Sequence, residues 1–226
     1  MMMVLDNSIV NMKAALFDMD GTILNSMQTW LEMGEKFLEK FGLPKDEVVT
    51  ESFIRDCTPD IADVVMDRYE LGLTKKELMF EIDDMVYDAY ANTLALKRGV
   101  KKFFEILKFN NVQIAIVTSS SFGLVEKMCE RTGLNKYVDS IISCGSIGAS
   151  KHTSKPYDHA VNVLSINKND AVIFEDALYA IQTAKDSGYF VVGVEEKVMK
   201  ADKIRIMNTV DRYVKDFYVL INEMEG

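Results

Sequence analysis

The sequence predicts an α/β fold, a Rossmann-like, doubly wound parallel sheet with a helical cap inserted in it. Short, β-rich apolar runs alternate with helix-length amphipathic segments, the pattern of βαβ units whose sheet is covered on both faces. One long stretch breaks the alternation with four helical patterns in a row. The 226 residues, 48% hydrophobic and 27% charged, suffice for one sizeable domain and an insert.

The strand candidates are Ala14–Phe17, Gln113–Val117, Ser140–Cys144, Ala171–Phe174 and Phe190–Val194, each bounded by polar residues or glycine. Between them, helical spacing marks 100–110, 121–132, 156–165 and 177–187. From Ser26 to Leu94 the chain reads TWLEMGEKFLEKFG, KDEVVTESFIRDC, PDIADVVMDRYELG and KKELMFEIDDMVYDAYANTL. Gly42-Leu43-Pro44, Thr58-Pro59 and Gly72-Leu73-Thr74 punctuate these helices. The expected division is a core of 12–25 and 95–226 with a cap of 26–94. Met12 is an expected natural start, because the structural pattern begins immediately after it.

A net charge of −9 argues against a nucleic-acid partner, which would call for a basic face. No apolar run approaches the roughly 20 residues of a membrane span. The N-terminal MMMVLDNSIV lacks the positive region of a secretory signal. Cys57, Cys129 and Cys144 are odd in number and far apart, so reduced, mostly buried thiols in a cytoplasmic protein are expected. Nothing demands more than a monomer.

The most informative segment is AALFDMDGTILNS, residues 14–26. A hydrophobic strand delivers Asp18 and Asp20 at its C-terminal end, where open α/β sheets bind ligands. Residues two apart on a strand start out on the same face. Gly21 permits a sharp turn and Thr22 offers a hydroxyl. An Asp- and Gly-rich surface turn is the bland alternative, but D-x-D-G-T arises by chance in roughly one such chain in a few hundred. Further along, IAIVTSSS ends a strand at Thr118, and VIFEDALYAI supplies Glu175 and Asp176.

FDMDGT resembles the first motif of the haloacid dehalogenase superfamily, in the helical-cap branch that includes β-phosphoglucomutase and phosphoglycolate phosphatase-like hydrolases. Order and strand context match from Ala14 to Val194. The resemblance implies Asp18 as nucleophile and Asp20 as acid/base. Thr118 and the amide of Ser119 would bind phosphoryl oxygens, with Gly21 and Thr22 in the phosphate-binding turn. Mg2+ would be held by Asp18, the carbonyl of Asp20, Asp176 and, less directly, Glu175. Two lysines compete for the third motif. Lys155-Pro156 has the usual dipeptide, whereas Lys151 lies 24 positions before Glu175, the spacing in the β-phosphoglucomutase branch. The spacing favours Lys151.

The chemistry suits these residue types. Phosphate monoesters hydrolyse extremely slowly unaided, so a catalyst must chiefly position groups and neutralise charge. A carboxylate nucleophile splits the reaction into two easier displacements. The implied function is a Mg-dependent phosphatase acting on a small phosphorylated metabolite, for instance a sugar phosphate. A phosphomutase is the alternative enzyme, although Trp30 stands where that branch has a histidine ten positions after the acid/base. A non-catalytic phosphometabolite sensor is the alternative outside enzymes. Asn25, Ala177 and Ala180 also depart from the family's usual Asp, Ser and Gly.

Other conspicuous residues have plain readings. His152 and His159 lack metal-ligand spacing and are expected to be structural or surface groups. Trp30 fits the substrate pocket and the core equally well. The 14 methionines read as core filler. Gly145-Ser146-Ile147-Gly148 is too short for a dinucleotide fingerprint, and Glu81–Asp84 reads as a solvated helix face.

Overall fold

The computed structural model describes residues 7–56 and 58–225, so the expectation for Cys57 lies outside the described residues. Six strands form one parallel sheet: β1 (Ala14–Phe17), β2 (Gln113–Thr118), β3 (Ser140–Ser143), β4 (Ala171–Glu175), β5 (Phe190–Val194) and β6 (Arg212–Val214). Their order is β3-β2-β1-β4-β5-β6. The five expected strands are present, and the sixth, only three residues long, extends the edge.

Both faces of the sheet are buried, which explains why β1 reads as an unbroken apolar run rather than an alternating one. Ala14 and Leu16 join one cluster with Ala115, Val117, Ala171 and Ile173. Helices α8 (Lys155–Val163), α9 (Leu178–Asp186) and α10 (Lys203–Thr209) contribute to it through Tyr157, Ile181 and Ile206. Ala15 and Phe17 face the other way, toward α6 (Val100–Phe109), α7 (Phe122–Thr132) and α11 (Phe217–Glu225). There Phe17 stacks on Phe174 at 4.4 Å between ring centroids and meets Phe103 edge-on at 6.2 Å. Such aromatic pairs add about 0.5–1.5 kcal/mol each beyond the area they bury.

Between β1 and α6 the described chain makes four α-helices: α2 (Met27–Lys40), α3 (Glu47–Arg55), α4 (Thr58–Arg68) and α5 (Lys75–Asp88). Their starts carry recognisable signals. Asp46 caps α3 by accepting from the amides of Val48 and Val49, and Thr74 and Glu77 form a reciprocal capping box on α5. A π-helical turn over Ala89–Thr93 follows α5 directly. The two crossings between helices and core lie side by side, with Asn25 N–H donating to the Ala95 carbonyl and Lys97 N–H to that of Ile23.

Packing starts before the expected boundary at Met12. A short helix, α1 (Asn7–Val10), buries Ile9 in the same cluster as Met12 and Phe103. The acidic run is not uniformly solvated either, because Asp83 has a buried oxygen without a partner and burial raises its pKa. His152 and His159 are exposed, and Cys129 and Cys144 are buried free thiols. No helix among the described residues is long and apolar enough to cross a membrane.

Candidate active site

The sheet order explains where the reactive side chains meet. After β1 the chain moves outward to β2 and β3, then returns to the opposite side of β1 with β4. The crevice at such a reversal, at the carboxyl ends of the strands, is where open α/β sheets bind ligands. Parallel register sets Phe17 level with both Ile116 and Phe174. Asp18, Thr118 and Glu175 therefore emerge from three neighbouring strands at nearly the same height.

Asp18 is buried, and one oxygen, Oδ1, is ion-paired with the ammonium of Lys151. Lys151 Nζ also donates to Glu175 Oε1 at 2.6 Å. The other oxygen of Glu175 accepts from the backbone amides of Asp176 at 2.8 Å and Ala177 at 3.0 Å. Glu175 thus has both oxygens engaged, orienting Lys151 and the turn that presents Asp176. Lys155 is exposed and reaches only the carbonyls of Ile147 and Gly148, at 3.3 and 3.5 Å. Of the two competing lysines, Lys151 is the one brought into the carboxylate cluster.

Asp176 accepts from the Thr22 hydroxyl at 3.0 Å through Oδ1. Its Oδ2 and the Oδ2 of Asp18 are buried and have no hydrogen-bond partner. Buried polar atoms are rarely left unsatisfied. Oxygen atoms from Asp18, Glu175 and Asp176 lie within 4.8 Å of one another. Two partnerless carboxylate oxygens in one pocket suit a hard divalent cation such as Mg2+, which prefers oxygen ligands. Asp18 and Asp176 offer the free oxygens, while Glu175 acts through its neighbours.

The electrostatics agree with that donor set. Burial raises the Asp18 carboxyl from 3.8 to about 7, opposed by Lys151 and assisted by Glu175 and Asp20. Burial, with Asp18 and Glu175 nearby, pushes Asp176 well above the usual carboxylate range. Burial alone would lower Lys151, but Asp18 and Glu175 outweigh it and keep the ammonium charged. Several carboxylates around one buried cation leave negative charge to be neutralised.

Gly21 adopts φ +86, and a Cβ there would stand 2.2 Å from Asp176 Oδ2. Gly21→Ala is therefore expected to strain the turn and displace Asp176. A magnesium titration of activity should show apparent affinity lowered about 10–100-fold, the range found when groups supporting a metal site are lost. Unchanged magnesium dependence would remove Asp176 Oδ2 from the metal site.

Thr118 ends β2 fully buried, its hydroxyl accepting from the amide of Ser120 at 3.1 Å. That bond leaves the hydroxyl proton free to donate into the cleft. Ser119 lines the cleft just before α7. The cavity is about 530 Å³ counting its open mouth. Its far wall comes from the helical insert through Met27, Trp30, Phe53 and Arg55. Trp30 both lines the cleft and is buried in the core cluster, so its two readings hold together.

Asp20 is held by groups the sequence did not single out. Ser120 Oγ donates to its Oδ2 at 2.7 Å, and the Tyr90 hydroxyl donates to its Oδ1. Ser120 sits in the quoted TSSS run, but Tyr90 lies 70 residues from Asp20 in sequence. No local pattern announces that contact.

Comparison with known proteins identifies the family. The family model for haloacid dehalogenase-like hydrolases matches residues 15–194. A Validoxylamine A 7'-phosphate phosphatase from Streptomyces hygroscopicus subsp. limoneus is 29% identical, over 80% of this chain and 85% of that protein. A phosphorylated carbohydrates phosphatase from Thermotoga maritima is 21% identical, over 78% of this chain and 82% of its own length. Among solved structures, CbbY from Rhodobacter sphaeroides in complex with phosphate superposes with a TM-score of 0.79 at 18% identity. That match covers 91% of this chain and 95% of the other, and the shared fold is what it establishes. With matched sequence spanning all the strands that carry the carboxylates, this chain belongs to the haloacid dehalogenase-like hydrolases.

Proposed function

We propose that this protein is a magnesium-dependent phosphatase that hydrolyses a small phosphomonoester through an aspartyl-phosphate on Asp18. The observation that carries the proposal is the state of the Asp18 carboxylate. One oxygen is held by Lys151 and the other is buried and free, beside the free oxygen of Asp176.

In the first step an oxygen of Asp18 bonds to phosphorus as the ester P–O bond breaks, and Asp20 gives its proton to the leaving oxygen. In the second, Asp20 takes a proton from water as that water attacks phosphorus, and the Asp18–phosphoryl bond breaks. Lys151 balances charge at Asp18 throughout. Thr118 and the Ser119 amide hold the phosphoryl oxygens. Bound magnesium, on Asp18, the Asp20 carbonyl and Asp176, would neutralise charge on the phosphoryl group. Residues 26–94 act as a cap whose cleft-facing side selects the substrate and excludes bulk water.

One relative is named for phosphorylated carbohydrates and another for validoxylamine A 7'-phosphate, which supports a carbohydrate-type phosphate ester. The mutually oriented acidic groups weigh against a non-catalytic sensor.

The test is phosphate release from p-nitrophenyl phosphate with magnesium and with EDTA. Release that magnesium supports and EDTA abolishes is expected. Release insensitive to the chelator would overturn the metal role, and no release would overturn hydrolysis of a simple ester.

A further inference from the structure

We propose that Tyr90 is a positioning residue for Asp20, fixed by Trp30 and Arg131 so that its hydroxyl aims the carboxyl group at the leaving oxygen. The inference deepens the phosphatase reading and rests on Asp20 being the acid/base.

The hydrogen-bond directions are determined by chemistry. An indole N–H can only donate. Trp30 Nε1 donates to the Tyr90 hydroxyl at 3.0 Å, so that oxygen is an acceptor there and must send its own proton elsewhere. It sends it to Asp20 Oδ1. Ser120 Oγ donates to the second oxygen, Oδ2, at 2.7 Å. Asp20 is thereby held at both oxygens, one from the core and one from the insert. Tyr90 and Trp30 are both buried, so water does not compete freely for these bonds.

The backbone around Tyr90 is also built for placement. Tyr90 is the buried residue of the π-helical turn Ala89–Thr93, a kind of bulge frequent at functional positions. Arg131 on α7 ties this turn to the core, with Nε donating to the Tyr90 carbonyl at 2.9 Å and a terminal nitrogen donating to the Leu94 carbonyl. Trp30 approaches from α2, near the other crossing between insert and core. The indole, phenol and carboxyl therefore form one chain from the insert to the reacting centre. A carboxyl group fixed at both oxygens spends more of its time in the productive orientation.

Misplacing a general acid harms esters in proportion to how much their leaving group needs a proton. p-Nitrophenolate departs without one, phenolate needs help, and an alkoxide needs it most. The experiment compares kcat/KM of wild type and Tyr90→Phe on p-nitrophenyl phosphate, phenyl phosphate and β-glycerophosphate. The expected loss is about 10–100-fold on the poorest leaving group that wild type turns over, a part of the 10²–10⁴ a general acid contributes. Within about threefold is expected on p-nitrophenyl phosphate. A purely structural role would lower all the esters alike.

Trp30→Phe keeps the phenol and removes the indole donor, so the same pattern at smaller amplitude is expected, and it serves as the second variant if Tyr90→Phe fails to fold. Equal losses across the esters, or none, would overturn the inference while leaving the phosphatase reading intact. A wild type inactive on all three esters would overturn that reading and this inference with it.

Discussion

Replacing Asp18 with asparagine is expected to abolish phosphate release, by at least about 10⁴-fold, while making the metal-free protein more stable above neutral pH. On the proposed mechanism the activity loss follows from replacing an anionic carboxylate nucleophile with a neutral amide, and the loss of a covalent nucleophile is among the largest single-residue effects in enzymes. The stability gain follows from the cost of burying the carboxylate. Its pKa is raised from 3.8 to about 7, chiefly by burial. Between those values the folded protein holds a proton that the unfolded chain has released. Stability must then fall as pH rises through this window, by roughly 1.4 kcal/mol per unit and about 4 kcal/mol at most. Asparagine has no such proton, so the variant loses the part of the slope that Asp18 contributes and keeps the part from Asp176. Urea unfolding in EDTA at pH 5 and pH 8 measures this, with the variant's advantage growing by about 2–3 kcal/mol between them. Magnesium should restore the wild type more than the variant, because on the proposed reading it would bind the ionised carboxylate. Parallel stability curves would show that burial of Asp18 is not costly, and retained release would remove it as nucleophile.

That pairing of lost activity with gained stability reflects how the site is written into the sequence. Asp18, Asp20, Glu175 and Asp176 were legible because each follows an apolar strand, and parallel strands deliver their ends to one crevice. Thr118 was legible for the same reason. Lys151 was legible only through its spacing to Glu175, since Lys155-Pro156 has the more familiar dipeptide. The roles of Glu175 and Tyr90 were not legible. Whether a carboxylate faces a metal or spends its oxygens on backbone amides depends on the turn geometry after β4, which no residue identity fixes. Tyr90 reaches Asp20 because a π-helical turn changes the phase of the helix, and a helical periodicity read from sequence assumes a constant phase. Ile9 was missed because a four-residue helix is too short to show any period.

The two lysines give the sharpest contrast available in the molecule. Lys151→Met is expected to lower kcat at least about 10³-fold, as loss of a preorganised charge in a catalytic site does. It should also destabilise the fold. Lys151 is buried between Asp18 and Glu175, and removing one member of a buried ionic group leaves the others uncompensated, typically at 3–5 kcal/mol. The ion pairs themselves are not the source of that figure, because desolvation offsets much of their attraction; the unpaired remainder is. Lys155→Met removes an exposed ammonium that touches only two carbonyls. It should leave kcat within about twofold and stability within about 0.5 kcal/mol. Steady-state kinetics and urea midpoints of the two variants, with and without magnesium, read both effects. Magnesium should narrow the stability gap of Lys151→Met, since a cation at Asp18 replaces part of the missing charge, but it should not restore turnover. Full restoration by magnesium would mean that Lys151 only neutralises the pocket. A larger loss from Lys155→Met would transfer the catalytic role to the exposed lysine and contradict the site as described.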